Sequence, residues 1–474
     1  MLFNSYIFIL CFLPLTMIGY YGLNHWKKEE QAKWFLIIAS LLFYGYFDIR
    51  YLPVILASIC FNYGFSRILL DTKYEKHKRT VLTAGIICNA GLLFYIKYWN
   101  FFLENINAVF GSSLQLKQLL LPLGISFFTF QQISYVVDCY REKDVISYTF
   151  VEYAAYVTFF PQLVAGPIVM HSELVPQMCD KTKKRINYEN LSVGLYALAL
   201  GLGKKVLLAD TLALVVNEAY FNRYYFTTWS VIVFILAYAF ELYFDFSGYC
   251  DIAMGIGKMF NYDIPRNFNY PYRATSMKEF WNRWHMTLSG FLQKYIYFPL
   301  GGSRKGLARS ILNILIVFLI SGIWHGAAWN FIIWGLYFVV FLLLEKLWLG
   351  AYIKKAKIAN HVYVLFFVMI SFIIFDATSM QEAGKNIAGL FGIGTSGTVS
   401  MESIYYLKDY LVIFLVAIVG ATPLPKKLYE KVMRIPAGKK LINVAEPILM
   451  IGLLLAITAF LVDGSFNPFL YFRF

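Results

Sequence analysis

The chain has 474 residues, of which 59% are hydrophobic, 19% aromatic and only 15% charged, against roughly 25% charged in an average soluble domain. Apolar stretches near the ~20 residues that a helix needs to cross the bilayer core recur along the whole length. That excludes a string of soluble domains and predicts one all-α polytopic integral membrane protein. The net charge is +14, which in a soluble chain would point to nucleic acid, so where the basic residues sit decides what they mean.

In chain order the predicted apolar segments are 2–23, 34–47, 52–70, 81–102, 119–137, 150–170, 191–221, 229–249, 311–324, 329–349, 361–375, 404–421 and 444–462. Several are too short for a perpendicular span, so some must tilt or re-enter, and about 11–13 membrane segments are expected. The first lacks a basic leader and a small-residue cleavage site, so it reads as a retained span. Segment 150–170 contains Pro161, Gly166 and Pro167, which break a regular helix, and it is expected to re-enter on the side it came from.

With that re-entry and an external N-terminus, the inward connections hold 31 Lys/Arg and the outward ones 5: Arg50, Lys117, Arg223, Lys385 and Arg473. This is a strong positive-inside pattern and places both termini outside. A full crossing at 150–170 would instead put Lys181, Lys183, Lys184 and Arg185 outside. The charge therefore records orientation, and no nucleic-acid partner is expected. Six cysteines, mostly in apolar segments and without a CxxC, suggest neither a disulfide framework nor a metal site.

Four features could carry chemistry. Glu241, Asp245 and, less closely, Ser247–Gly248 fall along one side of a helix near its inner end. Such acids normally need partners to remain charged, and Lys204 or Lys205 could supply one. His285 follows Phe280-Trp281-Asn282-Arg283-Trp284 in the long basic inner loop. On a continuous helix Trp281, Trp284, His285 and Leu288 would share a face, either as an interfacial anchor or as part of a platform for an anionic substrate with Arg283, Lys278, Lys294, Arg304 and Lys305.

His325 sits between two apolar stretches in an in-out-in hairpin, 14 helical steps or about 21 Å from Ile311. Charged and facing lipid it would cost roughly 2.5 kcal/mol or more, so it should line a polar cavity or bond across a helix interface. Gly322, Gly326, Ala327 and Ala328 beside it permit close approach. His25, His77, His171 and His361 lie in or beside loops and read as solvated. The last feature is the aromatic tail 469–474, either an interfacial anchor or a flexible arm that carries the Tyr471 phenol back into the protein.

Several runs together resemble the membrane-bound O-acyltransferase superfamily: Arg266-Asn267-Phe268-Asn269-Tyr270-Pro271-Tyr272, Glu279-Phe280-Trp281-Asn282-Arg283-Trp284-His285-Met286-Thr287-Leu288-Ser289, and Tyr297-Phe298-Pro299-Leu300-Gly301-Gly302-Ser303-Arg304. Leu121-Pro122-Leu123-Gly124-Ile125-Ser126, Phe159-Phe160-Pro161-Gln162 and Trp324-His325-Gly326 add to it. The chain looks more like the bacterial AlgI/PatA-like branch, which O-acetylates alginate, cellulose or peptidoglycan, than its D-alanyl-transferring DltB relatives.

The resemblance implies one membrane-embedded domain over 1–474 with a central tunnel, comprising N-terminal helices (1–118), a core (119–349) and C-terminal helices with an extracytoplasmic tail (350–474). It implies that His325 and His285 are catalytic, and that Tyr471 in the pattern Phe469-x-Tyr471-x-x-Phe474 is an acyl relay. Arg283, Lys278, Arg304, Lys305 and Asn282 become candidates to bind the donor. That donor would be a cytosolic acyl thioester such as acetyl-CoA, with no bound cofactor. The acceptor would be an extracytoplasmic polysaccharide, served by an SGNH-type acetyltransferase or esterase partner, at the bacterial cytoplasmic membrane. D-alanyl transfer to teichoic acid and a transporter or flippase are the alternatives.

Overall fold

The computed structural model describes residues 1–141, 146–221, 226–353, 356–463 and 469–470. All regular structure among them is helical. Among the described residues, eight helices are long and apolar enough to cross a membrane, or nine if the bent pair Met401–Asp409 and Leu411–Gly420 is one span. The remaining predicted segments differ for identifiable reasons. Segments 34–47 and 119–137 only overlap the 17-residue helices Glu29–Gly45 and Ile125–Arg141, each about 26 Å long. Segment 191–221 is divided by a widened π turn over Lys204–Ala209.

The chain forms two compact units, one of residues 1–198 with 250–265 and the other of residues 199–249 with 266–474. In the first, the expected break in 150–170 is present. The nine-residue helix Phe150–Thr158 ends at Phe159, and a single turn, Phe160–Leu163, precedes an irregular stretch to the helix His171–Cys179. Gly124 has a positive φ of 71°, and a Cβ there would lie 2.3 Å from the carbonyl oxygen of Leu163. Two motifs separated in sequence thus meet backbone to backbone, which only glycine allows.

Several buried polar groups in this unit are tied across helices, which offsets their loss of hydration. Asn62 and Asn89 exchange amide hydrogen bonds of 3.0 and 2.7 Å. Gln132 donates to Ser58 and accepts from Tyr153. His171 corrects its expected solvated state: it is buried, with Nε2 3.0 Å from Asp138 Oδ2 and Nδ1 3.0 Å from the Tyr148 hydroxyl.

The second unit contains the candidate site. The 19-residue helix Leu307–His325 starts four residues before the predicted segment, so His325 lies 18 steps or about 27 Å along it. It packs antiparallel on Trp329–Leu344. Gly322 and Gly335 make that packing close: a Cβ on either would lie 2.4 or 2.5 Å from a carbonyl oxygen of the opposite helix, those of Phe331 and Phe318.

Candidate active site

His325 ends its helix because Gly326 turns extended and Ala328 begins the next one. Asn330 in the first turn after the bend donates to the carbonyls of Phe375 and Ala377, both at 3.0 Å. The bend is thereby pinned to the end of the helix Lys357–Asp376. Trp334 and Phe375 meet the His325 ring edge-on, with centroids 5.0 and 5.3 Å away.

His285 does not continue a helix, which corrects the shared-face expectation. The helix Met277–Trp281 stops after five residues, and the next, Met286–Leu292, begins with His285 itself as its cap in the left-handed region at φ 45°, ψ 53°. A non-glycine residue at positive φ is uncommon and needs support from its surroundings. Asn267 supplies it. The Oδ1 atom lies 3.2 Å from His285 Nδ1, 3.1 Å from the Thr287 backbone nitrogen and 2.9 Å from the Thr287 hydroxyl, while the Asn267 carbonyl accepts from Met286 N–H at 2.9 Å.

That arrangement fixes a tautomer. The Thr287 N–H can only donate, so the Asn267 atom facing it is oxygen, and His285 Nδ1 must carry the hydrogen. The neutral ring then has its lone pair on Nε2. Burial pushes the His285 imidazole down to about 3, because charging it would forfeit hydration. His285 is therefore a neutral hydrogen-bond acceptor near pH 7.

The two imidazoles face the same cavity, with ring centroids 6.5 Å apart. Leu242, Phe246, Trp284, Trp334, Phe372 and Phe375 complete its walls, and the cavity volume is ≈ 20 Å³. Roughly 10–15 Å³ is enough to hold one water, so the space between the rings takes about one water-sized group. Apolar walls lower the local dielectric and strengthen each hydrogen bond formed inside.

Trp281, Trp284 and Leu288 are buried in the protein and do not form an interfacial anchor. Arg283 is held by Glu279, with nitrogen–oxygen distances of 2.9 Å, and donates to the Asn269 carbonyl at 3.0 Å. Lys278, Asn282, Arg304 and Lys305 are exposed, and none of these five lines the cavity. Tyr471 lies outside the described residues. Among the described residues, no three His, Cys, Asp or Glu side chains gather as metal ligands would.

Asn267 was missed as a site residue although it stands in the Arg266–Tyr272 run. Trp334 and Phe375 carried no signal in sequence, since aromatic residues abound in every apolar segment. The suspected acid–base pairing is present: Lys205 Nζ lies 2.7 Å from Asp245 Oδ1 and 2.8 Å from Asp210 Oδ1.

Residues 10–381 match the model of the membrane-bound O-acyltransferase family, MBOAT. The chain is 40% identical to a peptidoglycan O-acetyltransferase of Helicobacter pylori, over 83% of this chain and 80% of that protein. It is 32% identical to a protein named probable alginate O-acetylase AlgI of Azotobacter vinelandii, over 100% of both. A teichoic acid D-alanyltransferase of Bacillus subtilis is 24% identical over 72% of this chain and 87% of that protein.

Proposed function

We propose, from the premise that this chain belongs to the membrane-bound O-acyltransferase family, that it passes an acetyl group from a cytosolic thioester to an extracytoplasmic polysaccharide such as peptidoglycan or alginate. The protein is an O-acyltransferase, and acetyl-CoA is the donor we assign. The observation that carries the reading is the pair of imidazoles, 6.5 Å apart, in a cavity of ≈ 20 Å³. So small a space favours a short acyl group such as acetyl over a fatty acyl chain.

A thioester is already activated, so the protein has to align it with a hydroxyl and move one proton. In our reading His325 takes the proton from the attacking hydroxyl as the new C–O bond forms, then gives it to the thiolate as the C–S bond breaks. An imidazole, with a reference pKa near 6.5, suits both steps. His285 accepts a hydrogen bond on Nε2 and holds the reacting group against His325. Tyr471 is the first acceptor, and its phenyl ester, whose leaving group has a pKa near 10, is a better donor than a sugar ester.

An SGNH-type partner outside the membrane would then move the acetyl group to the polymer. The exposed Lys278, Asn282, Arg304 and Lys305, with Arg283 nearby in sequence, face the donor phosphates on the inner side. In this reading both termini lie outside the cytoplasmic membrane of a bacterial cell, which the excess of basic residues in the inward connections supports.

The test is transfer of labelled acetyl from acetyl-CoA by the purified protein. His325→Ala is expected to lower it by about 10²–10⁴-fold; normal transfer by that variant would overturn the assignment. Acetyl-Tyr471 should appear by peptide mass spectrometry, and polymer acetylation that persists in Tyr471→Phe without such an adduct would remove the relay.

A further inference from the structure

Lys205 is buried in the widened turn Lys204–Ala209, the kind of helix irregularity that often marks functional positions. Its ammonium lies between Asp210 and Asp245, at 2.8 and 2.7 Å. Glycine permits this: a Cβ on Gly248 would sit 2.8 Å from the Gly201 carbonyl oxygen and 3.2 Å from Lys204 Cβ. The other oxygen of Asp245 accepts a hydrogen bond from the backbone N–H of Leu470 at 2.8 Å. The Phe469 ring lies 4.8 Å from the Lys205 ammonium and meets Tyr249 edge-on at 5.0 Å. Phe469 is 1% exposed and Leu470 5%.

Two residues near the chain end are therefore held by a charge-assisted hydrogen bond, a cation–π contact and an aromatic edge. The helix Thr228–Met259 carries Asp245 and also lines the imidazole cavity through Leu242 and Phe246. At roughly 100° per residue, Asp245 points about 60–100° around the helix from those two. Tyr471 follows Leu470 directly in sequence.

We propose that Asp210, Lys205 and Asp245 form a latch that seats the C-terminal tail through Phe469 and Leu470, and so positions the Tyr471 hydroxyl for transfer. The use made of the latch rests on the relay reading; the latch itself does not. Lys205 and Asp245 are positioning residues here, because they act through the tail.

Hydrogen exchange of the full chain in detergent, read by mass spectrometry on the C-terminal peptide, tests it. In the unmodified protein the Leu470 amide should exchange far more slowly than in a free peptide of residues 464–474. Phe469→Ala and Lys205→Met should each speed it by about tenfold or more. Phe469→Ala lies on the tail and serves if Lys205→Met fails to fold, which the exchange of peptides from Trp329–Leu344 would reveal. Phe469→Ala should also lower acetylation of Tyr471 without weakening binding of acetyl-CoA.

Free-peptide exchange in the unmodified protein, or full protection in Phe469→Ala, would overturn the latch. Unchanged Tyr471 acetylation after the amide is released would overturn its positioning role. Tyr471→Phe should leave the Leu470 amide protected. If that variant were also fully active in polymer acetylation, the relay would fall and the latch would stand.

Discussion

At His285 a strained backbone and a buried imidazole coincide, and Asn267 answers both. One amide oxygen holds the left-handed turn through Thr287 and fixes the ring hydrogen on Nδ1. Asn267→Ala should therefore lower acetyl transfer by about 10²-fold through misplacement of the ring, whereas Asn267→Asp keeps an acceptor and should recover part of the loss. Equal rates for Asn267→Ala and the parent would refute this role.

The same burial has a consequence for stability. The folded pKa of about 3 lies below the ordinary 6.5, so between these values the unfolded chain binds the proton and the folded one does not. The contribution is complete above pH 6.5 and is lost as pH falls toward 3. Lowering pH from 7.5 to 5.5 should cost about 1.4 kcal/mol from this group. Thermal melts of the parent and His285→Gln at the two pH values measure it; an equal acid shift in both would exclude His285 as the source. The two imidazoles that share the cavity, His285 and His325, were legible as candidates. The turn at His285 was not, because its cause is an amide 18 positions earlier and local periodicity registers only neighbours.

The hairpin Leu307–His325/Trp329–Leu344 was legible because each strand of the sequence pattern is strongly apolar and the small residues cluster at its bend. What the pattern could not show is how close the two helices come. The carbonyl contacts at Gly322 and Gly335 leave no room for a methyl group. Gly322→Ala should cost about 1–3 kcal/mol as an overpacked site, and should also lower acetyl transfer because Trp334, on the displaced helix, is a wall of the cavity. Gly290→Ala is the matched control: nothing lies within 4 Å of its Cβ position, and replacing a helical glycine should stabilise by about 0.5–1 kcal/mol. Thermal melting with activity assays separates the two, and the same response from both would show that helix propensity, not close approach, governs Gly322. His171 marks the opposite limit of legibility. It stands beside a loop in sequence, yet Asp138 and Tyr148 draw it inside, and only tertiary packing joins those three.

For the molecule as a whole, orientation turns on residues 150–170. The helix Phe150–Thr158 has nine residues, about 13 Å of rise, and cannot span about 30 Å of hydrocarbon. The turn Phe160–Leu163 does not extend it in a regular way, since Phe159 between them is non-helical at φ −50°, ψ 107°. Re-entry returns Lys181, Lys183, Lys184 and Arg185 to the side from which the segment left; a crossing would export them and spoil the asymmetry of 31 against 5 basic residues. Single cysteines in a cysteine-free background distinguish the two. Ser113 and Thr182 are both exposed, so Ser113→Cys should react with a membrane-impermeant maleimide in intact cells, and Thr182→Cys only after permeabilisation. Labelling of both from outside would mean that 150–170 crosses. The reverse of the expected pattern would invert the protein, and the basic inner loop around His285 could then no longer meet a cytosolic donor.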